Sequence, residues 1–208
     1  MDYHRLITGL ICKLVDDGYH CFRFDFSGCG DSEGEIEGNM IKQWLNDVKA
    51  GYDVFNRIVD LNKLYFAGFR IGATLLMMSK TDELKVKNAI LWDPVINGDR
   101  YINNLIQSHK RWVKGSFAKE NALDKEKQQL GFMSDVSFSK EIRQINLLNV
   151  NNDSLRDILL IGDTNSDLLK QFYYQLAKLN CNADIEDLPQ NLIPIRKMSK
   201  ALEWISKH

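Results

Sequence analysis

The sequence predicts an α/β protein, a mostly parallel sheet with helices on both faces, from three observations. Short apolar runs alternate with amphipathic helical stretches. One of those runs passes through a glycine-flanked turn straight into a helix. The chain has 208 residues, 44% hydrophobic and 26% charged, which suits one globular domain spanning 1–208. A domain of this size buries roughly 70% of its unfolded surface, so its core needs neither a disulfide nor a structural metal.

The elements follow in order. Leu6, Leu10 and Leu14, with Ile7, Ile11 and Val15 beside them, recur at helical spacing and stop at Gly18, a glycine C-cap. Tyr19 to Phe26 is rich in aromatic residues and runs into the turn-forming SGCGDSEGE, which predicts a strand and a long loop. Ile41, Trp44, Leu45, Val48 and Tyr52, continued by Val54 to Ile58, give a second helix, and Leu64 to Ala67 a short buried strand. Next come a helix from Ile71 to about Ser79, a strand Ala89 to Trp92, and after Pro94 a helix with Tyr101, Ile102, Leu105 and Ile106. From about Ser108 to Asn152 the chain turns polar and charged, which predicts an insertion. Ile158 to Ile161, Leu168 to Leu179, Ala183 to Leu188 and Ile195 to Ile205 then read as strand, helix, strand and helix. Ligands of such sheets bind at the carboxyl ends of the strands.

With 27 Lys+Arg against 28 Asp+Glu the net charge is −1, so nothing points to nucleic acid or an anionic membrane as partner, and a small molecule is expected. Cys12, Cys21, Cys29 and Cys181 form no CxxC pair. They read as free thiols in a reducing compartment, which implies a cytoplasmic protein without metal or cofactor. Charges at Asp2, Arg5, Lys13, Asp16 and Asp17 keep the first residues from forming a signal core or a membrane span.

The most informative stretch is LYFAGFRIGATLL, Leu64 to Leu76, a strand, a sharp turn at Gly68 to Gly72 and a helix. In a G-x-S-x-G elbow such a turn lifts the central side chain to the top of the sheet as a nucleophile. Here that side chain is Arg70, whose guanidinium stays protonated and cannot attack an acyl carbon. Asp163 in LLIGDTNSD stands where a catalytic acid would be, with Asp93 in LWDP and Asp167 as competitors. The general base would be a His before the last helix, but Asp187 to Lys197, DLPQNLIPIRK, contains none. His4, His20, His109 and His208 lie elsewhere and read as surface or core residues.

These pieces resemble an α/β-hydrolase, and more narrowly the exosortase A system-associated hydrolases, one group of which has a G-x-R-x-G elbow. The matching segments are GYHCFRFDFSGCGDSEGE, FAGFRIGATLL, ILWDPVINGDRYINNLI and GFMSDVSFSKEIRQINLLN. The resemblance implies several strands before the first helix, including the one whose loop supplies half of the oxyanion hole. This chain is expected to lack them, as a fragment or a chain with a misassigned start would. Only the backbone N–H of Ile71 carries over as a donor, and an open sheet edge would favour pairing with another chain, as in a homodimer.

Arg70 therefore has two readings. At a helix N-terminus it suits a carboxylate or phosphate ligand. Paired with Asp93 or Asp163 it is an internal ion pair, and the two agree if a ligand displaces one carboxylate. Ser27 to Ser32 look like a phosphate cradle but are better explained as a turn in which Asp31 and Ser32 bond local backbone. No histidine in that loop activates Cys29 as a displaced nucleophile. Trp112, Phe117, Phe132 and Met133 form either an acyl-binding lid or the core of the insertion, whose cations are balanced by Glu120, Asp124 and Glu126. The reading is a hydrolase-fold protein with a degenerate triad, non-catalytic or binding an anionic or acyl ligand, in an exopolysaccharide or exosortase-linked setting as the resemblance implies. The alternative is a hydrolase of ester or related acyl bonds with a non-standard nucleophile.

Overall fold

The structure, a computed structural model, describes residues 3–35, 38–59, 63–79, 83–115, 128–129, 132–133, 136–152, 154–179, 181–187 and 195–208. Helices α1 (Tyr3–Asp16) and α2 (Met40–Ile58) precede strand β1 (Tyr65–Phe69), helix α3 (Ile71–Met78) and strand β2 (Asn88–Trp92). Helix α4 (Gly98–Gly115), the short strands β3 (Gln128–Gln129) and β4 (Phe132–Met133), and helix α5 (Val136–Arg143) follow. Strand β5 (Asp157–Gly162), helix α6 (Asp167–Lys178), strand β6 (Asn182–Asp187) and helix α7 (Ile195–Lys207) close the chain.

Among the described residues four strands form one parallel sheet in the order β1-β2-β5-β6, and β3 and β4 make a separate antiparallel pair. The interior strand β2 is buried along its whole length, as a sheet covered on both faces requires. Alternation divides its side chains between two cores. Ala89 and Leu91, with Ile158 and Leu160 of β5, pack with Val48 of α2, Leu76 of α3 and Phe172 of α6. Ile90 and Trp92, with Leu159 and Ile161, pack with Leu10 of α1 and Ala201, Trp204 and Ile205 of α7. Tyr65 donates its hydroxyl to the Ile205 carbonyl at 3.1 Å, and Trp204 Nε1 donates to Asp184 Oδ2 at 3.0 Å, which fixes α7 to both sheet edges.

Helix α1 ends as its sequence predicts. The N–H of Gly18 donates to Val15 and that of Tyr19 to Leu14, at 3.0 and 2.9 Å, with Gly18 at φ 91°. The strand expected at Tyr19 to Phe26 is absent: these residues are irregular backbone, and among the described residues β1 is the outermost strand on its side of the sheet. Aromatic composition favours a strand only where a neighbour completes the ladder, and among the described residues none does. The aromatic rings pack on α2 instead, Phe22 on Phe55 with centroids 5.6 Å apart, Phe26 on Trp44 at 5.5 Å and Phe24 against Gly51.

In the stretch 108–152, expected to be an insertion, α4 runs unbroken across Ser108, and His109 is buried. At the other end Ile142, Ile145 and Leu147 are buried in the core. Their polar neighbours hide these positions in the sequence. Trp112 is exposed, whereas Phe117, Glu120, Asp124, Glu126 and the side chains of Phe132 and Met133 lie outside the described residues. Helix α5 is tied to α2 by Glu141, which accepts from the N–H of Asn39 and, at 3.1 Å, from that of Ile41. That carboxylate caps a helix whose own N-cap residue makes no side-chain capping bond.

A Cβ at Gly68 would lie 2.5 Å from the backbone of Ala73, whereas one at Gly72 would meet nothing within 4 Å. Gly68→Ala is therefore expected to cost at least about 2 kcal/mol by overpacking. Gly72→Ala is expected to change stability by less than about 1 kcal/mol, in the stabilising direction. Urea-unfolding midpoints of the two variants check this.

Candidate functional site

Because the four strands are parallel, their carboxyl ends share one edge of the sheet. Phe69, Trp92 and Ile161 are in register. One residue further the ladder continues through backbone alone, with the Arg70 N–H donating to Trp92 at 2.9 Å and the Asp93 N–H to Ile161 at 2.6 Å. Both residues take left-handed φ values, 54° for Arg70 and 49° for Asp93, where the chain turns away from the sheet. Arg70, with ψ −119°, is the N-cap of α3, and the first intrahelical bond runs from the Thr74 N–H to its carbonyl at 3.2 Å. The N–H groups of Ile71, Gly72 and Ala73 precede that bond at the positive end of the helix dipole.

The two side chains meet: Arg70 Nη1 donates to Asp93 Oδ2, and the pair is partly open to water, at 38% and 29% side-chain exposure. The Tyr101 ring of α4 covers the guanidinium, 5.2 Å from Cζ to ring centroid. Thr74 holds the chain beyond Asp93 in place, its hydroxyl accepting from the Val95 N–H at 2.9 Å and lying 3.0 Å from the Val95 carbonyl. Sequence reasoning found Arg70, Ile71 and Asp93 but gave Tyr101 only a place in a helix. The signal was present in the D-P turn, which brings the first turn of the next helix back over the strand ends.

Asp163 stands one strand further along the same edge, directly after β5. Its Oδ1 accepts from the Asn165 N–H at 3.0 Å, so it closes its own turn, and its neighbour Thr164 donates its hydroxyl to Asp187 at 2.8 Å. Asp167 lies exposed in the first turn of α6, where its charge suits the helix N-terminus. His4 and His20 are exposed, His109 stacks on Trp112 and His208 on Trp204. The loop Ser27 to Ser32 spends four of its six N–H groups internally. Ser27 donates to Asp47, Gly28 to Glu33, Cys29 to Phe26 and Ser32 to Cys29, and the Ser32 hydroxyl bonds the Asp25 carbonyl. Those donors are unavailable to an anion. Burial, then the charges of Asp25 and Asp47, raise the Cys29 thiol above its ordinary pKa, and burial raises that of Cys21.

A groove of about 490 Å³ lies against α6, among Leu148, Tyr174, Gln175 and Lys178, and shares no lining residue with this edge. Among the described residues no group of His, Cys, Asp and Glu could hold a metal ion, and no helix is long and apolar enough to cross a membrane.

No protein-family model and no curated protein matches the chain. Solved structures do. The esterase Pf2001 of Pyrococcus furiosus superposes with a TM-score of 0.66 at 19% identity, over 99% of this chain and 76% of that one. Est1E of Butyrivibrio proteoclasticus, solved with ferulic acid bound, gives 0.66 at 17% identity, over 97% and 84%. The α/β hydrolase GrgF of a Penicillium species gives 0.57 at 15% identity, over 95% and 83%. The chain has the α/β-hydrolase fold. Within that fold the strand-to-helix turn at Arg70 and the ends of β2 and β5 share the carboxyl edge of the parallel sheet, where open α/β sheets bind their ligands.

Arg70→Gly and Arg70→Ala both remove the ion pair and differ only by a Cβ at positive φ. The glycine variant is expected to be about 1–2 kcal/mol more stable in thermal or urea unfolding. The raised thiol pKa of Cys29 means less thiolate at about pH 8, so Cys29 is expected to react with Ellman's reagent several-fold more slowly than exposed Cys12. Cysteine-to-serine variants at Cys12 and Cys29 assign their phases among the four free thiols.

Proposed function

We propose that this α/β-hydrolase-fold protein binds an anionic small molecule through Arg70 and does not hydrolyse it. One observation carries the reading: at the strand-to-helix turn that presents the nucleophile in this fold stands an arginine, poised between Asp93 and Tyr101. A guanidinium cannot open an acyl bond, and the segment 187–197 supplies no histidine to serve as base. The raised pKa of Cys29 argues against a substituted thiol nucleophile. The same guanidinium, beside the Ile71 N–H at the start of α3, has the charge and donor geometry for a carboxylate or phosphate.

The resemblance to exosortase A system-associated hydrolases supports a role beside an exopolysaccharide or exosortase-linked system. The outer edge of β1, unpaired among the described residues, supports self-association into a homodimer, which a single monomeric boundary in sedimentation would overturn.

Activated p-nitrophenyl esters test the reading. The folded protein is expected to release p-nitrophenol no faster than buffer, and Arg70→Ser is expected to do no better, because a serine without a base stays protonated. Turnover well above buffer by the wild type overturns it. A ligand at roughly one hundred times its Kd raises stability by about 2.7 kcal/mol, and this gain is expected to vanish in Arg70→Ala.

A further inference from the structure

We infer that the last turns of α4 are a docking surface for an anionic lipid leaflet, with Trp112 as the inserting ring and Lys110, Arg111 and Lys114 as the headgroup contacts. This role does not depend on Arg70 or on any ligand bound there.

The even balance of 27 Lys+Arg against 28 Asp+Glu over the whole chain hides a local excess. From Arg100 to Lys119 the sequence holds five Lys and Arg and no Asp or Glu. Glu120, Asp124 and Glu126 stand beside Lys119, Lys125 and Lys127, which match them one for one and leave the cations of α4 without an acid of their own. Lys110, Arg111 and Lys114 are exposed, and the Arg111 guanidinium donates to Ser108 of its own helix at 3.2 Å. Among the described residues none of the three is in an ion pair. Asp99, the acid of α4, is held by Arg143 and lies about 16 Å along the helix from Lys110. The elements packed most closely against α4 add no free acid. On α5 Glu141 accepts from α2 and Lys140 is exposed, and β3 consists of Gln128 and Gln129.

Trp112 completes an amphipathic pattern. Tyr101, Ile102 and Leu105 pack with Ile142 and Ile145 in the core. Two turns beyond Leu105 on the same stripe stands Trp112, yet it is 56% exposed, its ring stacked on His109. The apolar stripe thus runs past the core it serves. At 3.6 residues per turn Lys110 lies about 200° around the helix from Trp112, and Arg111 about 100°. Cations at a helix C-terminus also suit its dipole, which accounts for Lys114 but not for an open tryptophan. A helix with an aromatic ring on one side and long cationic stems on the other has the form that lies in a bilayer interface, the indole at the headgroup level and the lysines reaching anionic groups. A nucleic acid would meet the same charge. A base, however, stacks on a ring face, and His109 already takes one face of Trp112, whereas a leaflet needs only the outer part of the ring.

Flotation of the full chain with phosphatidylcholine vesicles, with and without an equal part of phosphatidylserine, tests this. Binding is expected to the anionic vesicles alone. Each basic residue near such a surface strengthens binding about fivefold, so Lys110→Glu together with Lys114→Glu is expected to weaken it at least about twentyfold. The same reversal at exposed Lys170 and Lys178 of α6 changes the net charge equally and is expected to leave binding within about twofold. Trp44, Trp92 and Trp204 are buried, so Trp112 is the tryptophan that brominated lipid tails reach. Quenching is expected in the wild type and is expected to be lost in Trp112→Phe. All these positions are exposed, and a cooperative melt confirms that each variant is folded. No binding by the folded chain, equal binding to both kinds of vesicle, binding that survives the α4 reversal, or quenching that survives Trp112→Phe overturns the proposal. A DNA duplex bound through the same lysines more tightly than the anionic vesicles at equal salt overturns the lipid assignment.

Discussion

Phe69, Trp92 and Ile161 lie side by side in the parallel ladder, and one residue beyond them the N–H groups of Arg70 and Asp93 still donate across it. Everything at the candidate site depends on this shared register. Parallel strands end at the same edge, and each ladder bond that persists past the last strand residue places the next side chain beside its neighbour's. A change of register by one residue would send Arg70 and Asp93 to opposite faces of the sheet.

Burial on both faces holds the register. Val48, Leu76 and Phe172 close one side of β2 and β5, and Leu10, Ala201 and Trp204 the other. Because β2 has no water-facing side, its backbone must stay paired along its length. The close crossing of β1 and α3 at Gly68 then sets the start of α3, and with it the left-handed turn at Arg70. A non-glycine residue at such a φ costs backbone energy without improving the core.

Around that edge stand the left-handed turn at Arg70, the N-terminus of α3 and, directly after β5, Asp163, whose carboxylate is engaged in its own turn. Helix α4 contributes Tyr101 to the face of Arg70, and α5 is fastened to α4 by Arg143, which donates to Asp99 and Asn103, and to α2 by Glu141. These links place the stretch that reads as a polar insertion in direct support of the edge.

The alternation of apolar runs and amphipathic helices was enough to assign the parallel α/β class. The helix and strand periods and the glycines after α1 and before α3 depend only on near neighbours, so the chain displays them directly. Arg70 and Asp93 were legible as candidates for the same reason, since strand-end residues follow from the strands. Three other features were decided by tertiary structure. Tyr19 to Phe26 has the composition of a strand but pairs with none among the described residues, because a ladder needs a partner that composition cannot supply. Ile142, Ile145 and Leu147 are core residues within a polar stretch, because helices packed across the chain decide burial there. Tyr101 covers Arg70 and Glu141 caps α2 from 100 residues away, contacts between distant segments that no local pattern records.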